Sequence, residues 1–195
     1  MEQEPQPPKP RIFIASQRCL DAGFVHGEWL DAQRDTLRLA EQVAELFATQ
    51  PLQPITDEDR FTVFATEGFG KLEVPPDTPL HIINKVARYV PMYDEELAVF
   101  VEVLDGDFDH AVENFWPCYV GTVSNLGEAG ERLLVYFDLY RKWNELTQDL
   151  DHNIRDAVVL DVTELFLRLR RLGMLRMCPV RNEKFALFYL AKLST

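Results

Sequence analysis

The chain has no apolar run of the roughly eighteen residues that a membrane-crossing helix needs, so no membrane insertion is expected. Its opening, Met1-Glu2-Gln3-Glu4, lacks a basic segment followed by a hydrophobic one, so no secretion signal is expected and the protein is placed in the cytoplasm. Three cysteines, Cys19, Cys118 and Cys178, are odd in number and widely spaced, which fits neither a disulfide framework nor a zinc knuckle; they read as free thiols. The four histidines (His26, His81, His110, His152) never fall three or four residues apart, so no helical metal pair arises. There is no Gly-x-Ser-x-Gly nucleophile turn and no phosphate-cradling glycine loop. Asp105-Gly106-Asp107-Phe108-Asp109 copies half of a calcium loop, but His110 stands where Gly is needed and Trp116 where a bidentate Glu is needed. His26-Gly27-Glu28-Trp29 could hide a general base, yet no nucleophile motif accompanies it. No catalytic residue, metal or cofactor is therefore expected, and an enzyme is the least favoured class.

Basic charge is also scarce. Lys and Arg number 20 against 32 Asp and Glu, a net charge of −12, with a sequence pI near 4.8. That balance argues against a general nucleic-acid binder, which needs a basic footprint to displace counterions from phosphates. Disorder does not explain it, because disordered acidic chains are poor in aromatics and this one has 13 Phe, 6 Tyr and 3 Trp. The acidity is regional. From Asp57 to Glu113 fourteen carboxylates stand against four bases, a local net charge of −10. From Ala157 to Thr195 the balance reverses to seven bases and three acids, with Arg168, Arg170 and Arg171 on one predicted helix.

The length allows one ordinary domain or two to three small ones. Residues 1–10, with four prolines, read as a flexible lead-in. Residues 11–76 read as an N-terminal α+β subdomain. Ile12 to Ala15 form a first strand, and a long loop follows in which the Trp29 ring is the anchor and His26 bonds to backbone. Leu37, Ala40, Val43, Ala44 and Phe47 mark the inward stripe of one helix, and Arg60 to Ala65 form a second strand paired with the first. Residues 77–118 read as an acidic helical subdomain. Thr78 caps a helix with Pro79 at its first position, running to about Tyr89. Asp94-Glu95-Glu96 opens the next, which buries Leu97, Phe100, Val101 and Leu104 and ends at Gly106; a third covers Phe108 to Phe115, stopped by Trp116-Pro117. Residues 119–195 read as a C-terminal α+β subdomain with a basic end. Asn125 and Glu128 make a capping box for one long helix from about Leu126 to Leu146. A helix after Asp161 carries Val162, Leu165, Phe166 and Leu169 inward and ends at Gly173, and Met174 to Met177 with Phe185 to Leu190 close a hairpin. The expected class is α+β: a small antiparallel sheet with a helix, a central helical region, then a helix plus hairpin.

Arg11-Ile12-Phe13-Ile14-Ala15-Ser16, followed by Asp21-Ala22-Gly23-Phe24-Val25-His26-Gly27-Glu28-Trp29-Leu30-Asp31, resembles the opening of the ArdA antirestriction proteins. Further matches fall in order at Phe61 to Phe64, Glu67-Gly68-Phe69, Gly106-Asp107-Phe108, Ala111, Glu113, Phe115, Tyr119, Gly121 and Ser124. The resemblance implies an elongated chain of subdomains forming a homodimer that imitates DNA and occupies the DNA-binding groove of a type I restriction–modification enzyme, at its methyltransferase core. It implies neither catalysis nor direct DNA binding. B-DNA carries one negative charge per about 1.7 Å of axis, so an imitator needs many carboxylates on rigid helices. On this reading the mimicking surface comprises Asp94, Glu95, Glu96, Glu102, Asp105, Asp107, Asp109, Glu113, Glu128, Glu131, Asp138, Glu145 and Asp149. The alternative is a non-catalytic adaptor or regulator whose basic C-terminal helix, with Arg168, Arg170 and Arg171 and the nearby Arg176, contacts nucleic acid or an acidic partner.

Overall fold

The structure, a computed structural model, describes residues 8–56, 59–148 and 161–193. The chain is α+β and divides into two compact units, Met1–Glu113 and Asn114–Thr195, each with a small antiparallel sheet of three strands. No helix among the described residues is long and apolar enough to cross a membrane.

In the first unit β1 (Arg11–Ser16) is the central strand, flanked by β2 (Gly27–Asp31) and β3 (Phe61–Glu67). Ile12 pairs with Leu30 and Ile14 with Val63, and these four side chains are buried on one face. β2 replaces the expected loop, and a short helix α1 (Gln17–Asp21), capped by Ser16, precedes it. Gly27, in the stretch expected to be a loop, has a steric reason on β2. A Cβ at Gly27 would sit 2.3 Å from the Ile14 carbonyl oxygen, so this strand can approach β1 only without a side chain there. Trp29 does not anchor a loop; it stands on β2 and is 44% exposed. His26 does bond to backbone, its Nε2 donating to the Leu46 carbonyl at 2.9 Å.

Helix α2 (Thr36–Ala48) is capped by Asp35 and buries Leu39, Val43 and Leu46, while Leu37 faces solvent. The inward stripe is thus rotated from the expected one. Helix α3 (Leu80–Val103) holds both expected helices in one element with a kink at Tyr93. Thr78 does not cap it; its hydroxyl donates to the Pro75 carbonyl at 2.8 Å, and Pro79 itself occupies the cap position. Pro91 lies inside α3 and has no N–H for the Ala87 carbonyl one turn back. Gln33 Nε2 donates to that carbonyl at 2.9 Å instead. Asn84, buried on α3, donates from Nδ2 to the Ala32 carbonyl at 2.9 Å and to the Arg34 carbonyl, tying the helix to the β2–α2 connection. Helix α4 (Phe108–Cys118) follows and extends past the expected stop, with Pro117 tolerated in its last turn.

In the second unit the sheet order is β4 (Tyr119–Val123), β6 (Lys184–Tyr189), β5 (Leu175–Val180). β4 was not expected from the sequence; its polar Gly121-Thr122 step pairs with Leu187 and Ala186 of the central strand. The expected long helix is two, α5 (Leu126–Tyr136) and α6 (Leu139–Thr147), separated at Asp138, whose φ of +53° no helix accepts. Helix α7 (Val162–Arg171) is capped by Asp161 and followed by Gly173 at φ +71°, as expected. Val123, Ala129, Leu133, Phe166, Leu175 and Leu187 form the core of this unit.

Candidate functional site

Charge divides where the chain divides. Met1–Glu113 holds 22 Asp and Glu against 9 Lys and Arg, a net −13, while Asn114–Thr195 holds 10 against 11, a net +1. The acidity is therefore a property of the first unit.

Its densest part is the corner between α3 and α4. Asp105 at φ +55° and Gly106 at φ +86° turn the chain through left-handed backbone, and the Gly106 amide donates to the Val101 carbonyl at 2.9 Å. Asp107 then caps α4, its Oδ1 accepting from the His110 amide at 3.1 Å. Asp109 falls in the first turn of α4, and Glu113 stands one turn further on the same face. Phe108, Ala111 and Val112 are buried on the other side of the helix, which turns the carboxylates outward. Glu102, Asp105, Asp107 and Glu113 are exposed and Asp109 is half-buried. None of the five forms an ion pair with a described residue.

Asp109 reports the field of this corner. Partial burial pushes its carboxyl above the ordinary carboxylate range, Asp107, Asp77 and Glu113 push it further, and His81 opposes them. A carboxylate in the first turn of a helix ordinarily gains about 0.3–1 kcal/mol from the dipole. Here desolvation and like charge act against that gain. Asp77 thus belongs to the cluster although it precedes α3, and no local pattern in the sequence brings it there.

Other expected surface residues have structural employment. Glu95 is a correction: it is buried and paired with Lys71, a partner from the β3–α3 connection that helix periodicity does not reveal. Asp94 packs against Gly70, where a Cβ would lie 2.3 Å from its Oδ2, and Glu96 is half-buried. Asp59, not among the expected surface residues, has a side chain only 2% exposed and is held below the ordinary carboxylate range chiefly by the Thr56 amide, which donates to it at 2.6 Å. In the second unit Glu128 accepts from the Ser124 amide at 2.8 Å as part of the helix cap. Asp138 and Glu145 both pair with Arg141, which compensates one of their two charges locally. Glu131 is exposed, and Asp149 lies outside the described residues.

No group of three or more His, Cys, Asp or Glu side chains placed to hold a metal ion occurs among the described residues. The three cysteines are free, with Cys19 and Cys118 buried. No family model matches the chain, and no curated protein or solved structure matches it either.

Proposed function

We propose that this protein is a cytoplasmic, non-enzymatic inhibitor that presents the acidic corner of its first unit to the DNA-binding groove of a type I restriction–modification enzyme. The observation that carries the proposal is the set Asp77, Glu102, Asp105, Asp107, Asp109 and Glu113, concentrated with no compensating ion pair among the described residues and with the Asp109 carboxyl pushed above its ordinary range by burial and its neighbours. A surface used only for solubility has no need to hold carboxylates where they repel one another. Fixed charges of this kind require little ordering on binding and meet a groove that is already positive. The residue resemblance to ArdA proteins supplies the target class and the proposed homodimer; the charge arrangement supplies the physical means.

The test is binding of the purified chain to a methyltransferase core of that enzyme class. The expected result is sub-micromolar affinity that duplex DNA competes away and added salt weakens. The combined variant Glu102→Gln, Asp107→Asn, Asp109→Asn and Glu113→Gln should lose at least about tenfold in affinity, and each single change far less, because a distributed field has no dominant residue. Asn is also a good helix cap, so the change at Asp107 leaves α4 intact. Absence of binding to several such cores at low salt rejects the proposal.

One observation favours a second reading, the adaptor. Among described residues the second unit has ten bases to seven acids, and neither Arg168 nor Arg170 of α7 forms an ion pair with a described residue. Direct binding of duplex or single-stranded DNA in a gel shift, abolished by Arg168→Ala with Arg170→Ala, supports it over inhibition by mimicry.

A further inference from the structure

The outer face of the first unit's sheet is aromatic, where the solvated face of an antiparallel sheet is ordinarily polar. Phe13 on the central strand is half-buried. Trp29, directly opposite it on one edge strand, is 44% exposed, and Phe64 on the other edge strand is 58% exposed. Both rings meet Phe13 edge-on, at centroid distances of 5.6 and 6.0 Å. Phe13 is thus the floor, and the two exposed rings are the walls, of a shallow groove along β1. The Arg11 guanidinium lies 4.9 Å from the Trp29 ring centroid and steadies that wall.

Size, charge and hydrogen bonding select what covers this groove. Six residues of β1 at about 3.3 Å each, across three strands about 4.8 Å apart, give a face of roughly 300 Å². A standard protein–protein interface takes about 800 Å² per partner, so the face is too small to hold a second copy and suits one extended peptide. A nucleic-acid strand is repelled by the net charge of −13 around it. The end of the groove at Trp29 is locally cationic, for the cavity there is lined by Lys9, Arg11 and Arg34 against Asp31 and Glu67. Arg11 engages Glu67, while Lys9 and Arg34 form no ion pair with a described residue, so this end favours an acidic side chain. The Trp29 indole N–H also meets no acceptor among the described residues. Donors beside flat rings suit a polyproline II segment, whose carbonyls are free and whose prolines carry no N–H. A helix has its carbonyls already engaged, and an added strand pairs at a sheet edge rather than on a face.

We infer that this groove docks a proline-rich segment of a partner protein, held as a polyproline II helix against Trp29, Phe13 and Phe64, with an acidic residue of that segment at the Lys9 and Arg34 end. The inference is independent of the inhibitory role.

Isothermal titration of the full chain with decaproline carrying a pair of glutamates at one end tests it. The expected result is saturable binding at one site per chain with a dissociation constant below about 1 mM, weaker with plain decaproline and absent with a glycine–serine peptide bearing the same glutamates. Phe64→Ala should weaken binding by at least about tenfold, the loss expected for an aromatic anchor, and because Phe64 is exposed the variant keeps its fold. Lys9→Ala with Arg34→Ala should remove the advantage of the glutamates and leave decaproline binding unchanged. No binding at millimolar concentration overturns the inference. So does unchanged affinity in Phe64→Ala, equal binding of the glycine–serine peptide, or tighter binding of a single-stranded oligonucleotide. A dimer that Phe64→Ala converts to monomer in sedimentation overturns it by assigning the face to a second copy, and tighter binding of a peptide of this chain's own residues 1–10 does so by assigning the groove to the chain itself.

Discussion

Asp109→Asn should stabilise the fold at neutral pH while removing one charge from the proposed binding surface. Two effects oppose each other at this position. The change forfeits part of the helix-dipole interaction of a first-turn carboxylate, about 0.3–1 kcal/mol. It also relieves repulsion from Glu113, one turn along α4, by about 0.2–0.5 kcal/mol, with similar screened contributions from Asp107 and Asp77, and it relieves the desolvation of a half-buried charge. Burial and the three neighbouring carboxylates Asp107, Asp77 and Glu113 raise the Asp109 pKa, and these several effects set against the single dipole contribution give the expected sign. A net gain of about 0.5 kcal/mol is expected, or roughly 1–2 °C in melting temperature for a chain of this size. Since the folded pKa lies above the unfolded one, the penalty of the charged form is absent below the unfolded value of about 3.9 and develops as pH rises through both. The advantage of the variant is therefore full at neutral pH and lost at about pH 3. Urea midpoints at both pH values, in low salt and in about 0.5 M salt, measure it; the gain should shrink with salt. A variant less stable than the parent at neutral pH, or a gain that persists undiminished in acid, refutes the reasoning.

Asn84→Ala should destabilise the first unit by about 1–3 kcal/mol for the buried Ala32 carbonyl it orphans, with a smaller addition for the more exposed Arg34 carbonyl, measured as a shift in urea midpoint. Gly27→Ala should be destabilising by about 1–3 kcal/mol, because the added Cβ meets the backbone of β1 rather than a movable side chain; an unchanged midpoint disproves the close approach. Cys118, whose thiol burial pushes up to about 11, should react with a thiol reagent at neutral pH far more slowly than the partly exposed Cys178, and the two rates should converge in urea.

The sequence by itself determined the class, α+β, and most of the elements whose signals are local. Asp35, Asn125 and Asp161 cap the helices that follow them, Gly173 closes the last helix, and Arg181 to Glu183 turn the final hairpin, all because these residues act on backbone within a few positions. It also located the acidity, since charge is a count. What required the tertiary structure were the features that depend on a distant partner. Gly27-Glu28-Trp29 is a strand because β1 lies beside it, and Tyr119 to Val123 is one because β6 does. Pro91 continues the helix up to the kink at Tyr93 because Gln33 satisfies the carbonyl it frees, and the helix break at Asp138 follows from a left-handed backbone that helical periodicity does not register. The same distinction governs the candidate surface. Only the fold shows that Lys71 takes Glu95 out of it, that Arg141 is shared between Asp138 and Glu145 and offsets one of their charges, and that Asp77 comes within the field of Asp109, because the electrostatic meaning of a charge is set by neighbours that sequence spacing does not specify.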